Sequence, residues 1–372
     1  MKKLFFYGTL CHVPLLELVL GRRVTKGELR EATLGNYSVF WADGQIFPLL
    51  VADPGGRAQG LVLKATAEDV ERLNFYEGGF NYELHAIVPV GESDPVDVYF
   101  PQPGNWRPGA PWQLGDFAER HAAVTLAAAA DVMALFGRIG SDEVARRLPM
   151  RRAMAAQSVV CQTGTPVQQR SGFDQADVSL GKYRRAYHAF FALDEIEISH
   201  RRFEGGNEGP LERAVFVSFD AAIVLPYDPR RDRVLLVEQF RVGPFLRGDP
   251  HPWTLEPIAG HIDAGETPEL AAHREAAEEA GLALRELIRV GGHYPSPGAS
   301  TEYYHCFIGL CDLPDEKAGR GGISHEGEDI RTHTIGLDAL LGLVDSGEAE
   351  VGPLVLLALW LERYRARART GA

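Results

Sequence analysis

Between Gly260 and Gly281 the chain carries Glu266, Arg274, Glu275, Glu278 and Glu279 at fixed intervals. Thr267 predicts an N-cap, Pro268 suits the first helical position, and Gly281 suits the left-handed residue that ends a helix. The segment therefore reads as a loop followed by one short helix. On that helix Glu275, Glu278 and Glu279 fall at i, i+3 and i+4, which sets three carboxylates on one face. Like charges so placed repel and weaken a helix unless cations hold them. Mg²⁺ prefers a few carboxylates plus substrate oxygens to a closed protein cage, so the pattern predicts a Mg²⁺ site open to substrate oxygens. The plainer alternative is a solvated acidic face with Arg274 paired to Glu278.

The rest of the chain must supply the elements that position this segment. With 372 residues, 45% of them hydrophobic and 24% charged, two or more ordinary globular domains are expected. A net charge of -13 argues against a nucleic-acid partner, whose phosphates would be repelled. Cys11, Cys161, Cys306 and Cys311 form no CxxC pair, which predicts reduced thiols in a cytoplasmic protein and no zinc site. The start Met1 to Phe6 is followed by Gly8, Thr9, His12, Pro14 and Glu17, which break the apolar run and argue against export. Val124 to Phe136 is interrupted by Asp131 and too short to span a bilayer, so no membrane partner is expected.

Three regions are expected. Residues 1–112 mix strand-like runs (Leu4 to Tyr7, Tyr37 to Trp41, Phe47 to Val51, Gly60 to Leu63, Val96 to Tyr99) with short helices and end in the proline-glycine loop Pro101 to Pro111. Residues 113–179 read as a helical connector, two helices broken near Gly137 to Ser141, followed by the polar stretch Gln162 to Gln175. Residues 180–372 alternate strands with the helix described above. Ala214 to Leu225 and Arg233 to Phe240 are β-rich runs joined by a turn over Tyr227 to Asp232, further strands follow near Leu287, Glu302 and Arg331, and a helix closes the chain from Pro353 to Arg367.

The glycines and glutamates from Gly260 to Leu282 resemble the Nudix box, the signature of enzymes that hydrolyse diphosphates linked to another moiety. Across about 180–372 the sequence is similar to the ADP-ribose pyrophosphatase branch of that family. The shared patches are Leu225 to Pro229, Val237 to Arg241, Pro252 to Gly260, Ser296 to Gly298 with Thr301 and Glu302, and His325 to Ile330, with Pro297 at that branch's characteristic distance after the box. Ala276 departs from the larger aliphatic residue usual there, which should alter helix packing more than chemistry. The resemblance implies an α/β/α sandwich, with Glu275, Glu279 and the Ala259 carbonyl as ligands for Mg²⁺ or Mn²⁺ and Glu278 a further ligand. It implies Arg213 and Arg241 as phosphate contacts and Glu326 as the general base, with Glu328 its competitor. Tyr187, Phe190 and Phe191 lie where that branch places base-stacking residues. The implied reaction converts ADP-ribose, or a related nucleoside diphosphate such as a sugar nucleotide or diadenosine compound, with AMP and ribose 5-phosphate as the products from ADP-ribose. A nucleotide-sensing protein is the non-enzymatic alternative, against which the intact box argues. Homodimers are common in this branch.

Residues 1 to about 103 resemble the γ-glutamylcyclotransferase-like family through Phe6 to Leu10, Phe47 with Pro48, Gly60, and Leu73 to Gly78 followed by Tyr82. This implies a mixed β-barrel/α domain within an α/β multidomain chain. Tyr7, Gly8, Thr9 and Leu10 would hold the carboxylate of a γ-glutamyl compound, and Glu77 would move the proton. Asn74 and Phe47 replace the usual Asp and Tyr, which puts activity in doubt. The two domains in this order resemble fusion proteins linked to tellurite resistance, although the four cysteines form no evident soft-metal site.

Overall fold

A computed structural model describes residues 2–25, 27–78, 82–101, 104, 106–140, 143–144, 148, 151–156, 167–188, 191–313, 320–321 and 329–370. The chain divides into two compact units, Met1–Pro166 and Val167–Ala372. Among the described residues no helix is long and apolar enough to cross a membrane.

The first unit is built on a six-stranded sheet ordered β4-β5-β1-β3-β2-β6. In chain order its elements are β1 (Lys2–Phe6), α1 (Val13–Leu20), β2 (Leu29–Ala42), β3 (Pro48–Ala65), α2 (Ala67–Gly78), β4 (Tyr82–Ile87), β5 (Val96–Pro101), β6 (Pro108–Pro111), α3 (Leu114–Arg120) and α4 (Ala122–Met133). Side chains alternate across a strand, so Leu4 and Phe6 enter one core cluster while Phe5 and Tyr7 enter the other. The strand-like runs at Phe47 to Val51 and Gly60 to Leu63 prove to be one strand, β3, paired along its length with β2. The helices expected as a connector pack against this unit: Phe117, Ala129, Val132 and Leu148 belong to its core. Their first break comes at His121 rather than near Gly137.

The second unit opens with a separate three-stranded sheet of β7 (Val178–His188), β8 (Ala192–Arg201) and β9 (Asn207–Val217). An eight-stranded sheet follows, made of β10 (Ala221–Asp228), β11 (Arg233–Phe240), β12 (Trp253–Glu256), β13 (Ile258–His261), β14 (Glu286–His293), β15 (Tyr304–Leu310), β16 (Arg320–Gly321) and β17 (Ile330–Gly336). Its helices are α5 (Val242–Arg247), α6 (Pro268–Ala280), α7 (Leu337–Ser346) and α8 (Gly352–Thr370). Every residue of β10 is buried, which identifies a strand covered on both faces. Ile223, Leu225 and Tyr227 pack with residues of α7 and α8, whereas Ala222 and Val224 pack with α6, giving the helix-sheet-helix layering expected.

The apolar run Ala214 to Leu225 is not one strand. It breaks over Ser218 to Asp220, where the chain leaves the three-stranded sheet for the larger one. The Ser218 amide donates to Thr301 Oγ1 at 3.1 Å, and the Asp220 carbonyl accepts from Ile262 at 3.1 Å, so the crossing keeps its backbone groups paired. The turn after β10 is as expected: Asp228 Oδ1 accepts from the amides of Arg230 and Arg231 at 2.9 and 3.2 Å, and Asp232 takes a left-handed φ of 56°.

Because each unit buries its own apolar clusters, a fragment of residues 167–372 should fold alone. A single cooperative thermal transition with near-native circular dichroism is expected; a fragment that stays unfolded would show that the first unit is needed to stabilise it.

Candidate active site

Helix α6 begins and ends as its sequence dictates. Thr267 Oγ1 accepts from the Leu270 amide at 3.3 Å, Pro268 occupies the first turn, and Gly281 closes the helix at φ 58°. Ala271, Ala272, Ala276 and Ala280 form its buried face. The small side chain at position 276 thus belongs to an alanine face that lies directly on the sheet.

Glu275 and Glu279 stand among these alanines on the sheet-facing side of α6, where the helix meets β13. Glu279 is 3% exposed. Glu275 lies across the backbone of Gly260: a Cβ built there would stand 1.8 Å from Glu275 Oε1, so only glycine admits this approach. Ala259 is the neighbouring residue of the same strand. The Arg274 guanidinium lies among the acids, at 2.9 Å from Glu266, 2.6 Å from Glu275 and 3.1 Å from Glu278, and its Nη2 also donates to the His261 carbonyl at 3.0 Å. The pairing of Arg274 with Glu278 is therefore real, but it is one contact of several. These bonds raise the Arg274 pKa further above its ordinary value.

Ala259, Gly260, Arg274, Glu275, Glu278 and Glu279 line a cleft of about 1010 Å³, together with Arg241, Glu256, His261, Asp263, Glu302 and Tyr304. Arg241 is held by Glu256 in a fork, Nε to Oε1 at 2.8 Å and Nη2 to Oε2 at 2.6 Å, and Thr254 donates to the same Oε1 at 2.6 Å. Desolvation, with Arg241 and Arg274 nearby, pushes the His261 imidazole down to about 4, so it is neutral at pH 7. Burial raises Asp263 and Glu302, and it raises the Tyr304 phenol to about 12.

The sequence-derived residues do not all converge. Glu275, Glu278, Glu279, Ala259 and Arg241 line the cleft, but Arg213 does not. Arg213 lies on β9 an odd number of residues before Phe216, which does line the cleft, so the two side chains leave opposite faces of the strand. Phe191 lines the cleft 4.7 Å from the Phe216 ring, whereas Tyr187 is exposed elsewhere on β7. Glu326, Glu328 and Phe190 lie outside the described residues. Glu256 and His261 were missed as site residues, although both stand in or beside the patch Pro252 to Gly260.

Among the described residues no three His, Cys, Asp or Glu side chains come together, as they now lie, in a group that could hold a metal ion. The oxygens of Glu275, Glu278 and Glu279 and the Ala259 carbonyl are hard donors, and the close seat of Glu275 on Gly260 brings that carboxylate to the strand bearing Ala259. This donor set fits a hard divalent cation that keeps positions for substrate oxygens.

The first unit holds a second pocket, with space of about 30 Å³, lined by Tyr7, Gly8, Thr9, Leu10, Phe47, Glu77 and neighbouring residues. The loop from Tyr7 to Leu10 and Glu77 therefore do converge. A Cβ at Gly8 would fall 2.3 Å from Pro48 Cγ, so the loop passes too close for any side chain. Tyr7 and Tyr82 donate to the Tyr99 and Pro48 carbonyls at 3.0 and 2.8 Å, and the replaced Asn74 accepts from Tyr99 at 2.7 Å. Burial pushes the Glu77 carboxyl up to about 8, with Arg152 pulling the other way.

Comparison with known proteins finds a family for each part of the chain. Residues 217–354 match the NUDIX domain family, and residues 4–118 match the family of gamma-glutamyl cyclotransferase, AIG2-like. The chain is 35% identical over 192 residues to an ADP-ribose pyrophosphatase of Haemophilus influenzae, covering 51% of this chain and 88% of that one. It is 35% identical to an ADP-ribose pyrophosphatase of Escherichia coli K12, covering 52% and 91%. A GDP-mannose pyrophosphatase of Enterobacter is 31% identical over 41% of this chain and 78% of its own.

Gly260→Ala forces the Glu275 carboxylate off its seat, and disturbing the support of a metal ligand costs roughly 10- to 100-fold in affinity. Calorimetric titration with Mg²⁺ should show this weakening in a variant whose circular dichroism is unchanged. Equal affinity would mean that Glu275 does not depend on that approach.

Proposed function

The chain belongs to the Nudix family, with a γ-glutamyl cyclotransferase, AIG2-like unit ahead of the Nudix domain, and from that premise we propose that its second unit hydrolyses ADP-ribose to AMP and ribose 5-phosphate with Mg²⁺. The observation that carries this reading is the seat of Glu275 on Gly260, beside Glu279 and Glu278, in a cleft that also holds Arg241. The similarity to ADP-ribose pyrophosphatases over most of their length supports the substrate.

Glu275, Glu278, Glu279 and the Ala259 carbonyl would hold the cation, Mg²⁺ or Mn²⁺. When bound, it supplies neutralisation of the diphosphate and acidifies a water. Glu256 fixes the guanidinium of Arg241 in the cleft wall, so the phosphate meets an oriented donor rather than a mobile one. Arg274 fixes Glu275 and Glu278 in the same manner. The water oxygen bonds to phosphorus as the bond from phosphorus to the bridging oxygen breaks. Glu326 takes the proton from that water, with Glu328 as its competitor for the role. Neutral His261 adds no charge to the cleft. The similarity to a GDP-mannose pyrophosphatase favours a second reading, a sugar nucleotide as substrate.

Rates on ADP-ribose, GDP-mannose and a diadenosine compound, with and without Mg²⁺, decide between these readings. ADP-ribose should have the highest kcat/KM and need the metal. Glu275→Gln and Glu279→Gln should each lose on the order of 100-fold or more. Near-normal kcat in either variant would remove it from the ligand set. Glu326→Gln should lower kcat, and a crippled Glu328→Gln beside a healthy Glu326→Gln would exchange the two roles.

For domain organisation the proposal keeps residues 1–112 and 180–372 as the two functional parts. Because β7 begins at Val178 and α3 and α4 pack into the first unit's core, the working fragment starts at Val167. That fragment should retain ADP-ribose hydrolysis, and a folded but inactive fragment would show that the first unit helps build the site. A homodimer is proposed for the whole chain, supported by exposed Val242, Phe245, Leu246 and Trp253. Light scattering of a purified monomer would refute it.

The first unit is proposed to act on a γ-glutamyl compound. Backbone N–H groups of Tyr7 to Leu10 would receive its carboxylate. Its amine nitrogen bonds to the γ-carbonyl carbon while the bond to the leaving amine breaks. Glu77 takes a proton from the first nitrogen and returns one to the second. A carboxyl raised to about 8 exchanges protons near neutral pH, which supports the role.

A further inference from the structure

The first unit's pocket leaves about 30 Å³ free, space for roughly two waters. Pockets that take organic ligands run to about 300–1,000 Å³. A piece of chain beyond the family match, which ends at residue 118, packs against a residue of its wall. Helical residues 151–156 lie in the unit with Arg151, Arg152, Ala153, Met154 and Ala155 all buried. The guanidinium carbon of Arg152 stands 4.9 Å from the centre of the Phe47 ring, and Phe47 is a wall of the pocket. Arg152 also interacts electrostatically with Glu77 and Tyr82, two further wall residues.

We propose that residues 151–156 close this pocket with Arg152 as the stopper, so that the resting chain holds its γ-glutamyl site shut. The inference rests on the cyclotransferase-like reading of the pocket. A planar cation over an aromatic face is strongly attracted when water is excluded. Closure is reinforced by apolar burial, since Val144 and Leu148 shortly before Arg152 belong to the unit's core. A γ-glutamyl group brings its own carboxylate, so it competes with the Phe47 ring for the Arg152 guanidinium. Entry therefore requires Arg152 to leave Phe47, and anything that draws the segment away opens the site.

The full-length chain tests this. Arg152→Ala, and Arg152→Met as the variant that keeps the side chain's bulk, are assayed for 5-oxoproline release from γ-glutamyl-L-alanine. If the site is mostly shut, removing the stopper should raise release about tenfold or more, and Glu77→Gln in the same background should cancel the gain. Unchanged or slower release in both folded variants, from a chain active before substitution, overturns the closure, and slower release would instead make Arg152 a ligand contact. If no form of the chain releases 5-oxoproline, the cyclotransferase reading is what fails. Closure is then read from a Thr9→Cys reporter, which should react with a methanethiosulfonate reagent about tenfold faster once Arg152 is replaced. Equal labelling rates would overturn it.

Discussion

Arg274 is the interaction on which the diphosphate site depends. Three acidic side chains of the box, Glu266, Glu275 and Glu278, converge on its one guanidinium. Without it their mutual repulsion would spread them and destabilise the last turns of α6. With it they are held together around one positive charge. The same group reaches the His261 carbonyl and so ties the helix to β13, where Gly260 admits Glu275 and no side chain would. The local rules agree here: cap, left-handed stop, alanine face and charge pairing all specify one position for the helix.

That agreement explains why this part was legible in the sequence. A capped helix with Glu at i, i+3 and i+4 encodes its own face, and β10 and β11 announce themselves as unbroken apolar runs. Arg213 was harder, because the resemblance names the residue but only the register of β9 says which way it points. The strands β7 and β8 were less distinct, since exposed charged residues alternate along them and the ladder rather than a core holds them. Short-range periodicity also missed the break between β9 and β10, where apolar character runs on but the hydrogen-bonding partner changes. In the first unit, Glu77 could be named from its motif, whereas Arg152 belongs to no motif and approaches Phe47 only through tertiary packing.

The two units solve the problem of placing carboxylates in opposite ways. In the second, Glu275 and Glu278 remain paired with a cation and accessible to a charged substrate. In the first, Glu77 is buried and its burial favours the neutral acid. One arrangement suits binding of an ion, the other exchange of a proton. Their difference follows from solvation rather than from residue type.

The crossing at Ser218 to Asp220 makes one continuous chain the member of two sheets. Phe216, still on the three-stranded sheet, bridges Ser300 and meets Phe191 at the cleft, while Ala221 begins the central strand beneath it. The two sheets are thus geared together at this joint. A tilt of the smaller sheet would carry an aromatic wall of the cleft with it, yet leave the carboxylates on α6 fixed to the larger sheet. The residues that shape the cleft and those that give it its charge thus belong to separate parts of the fold.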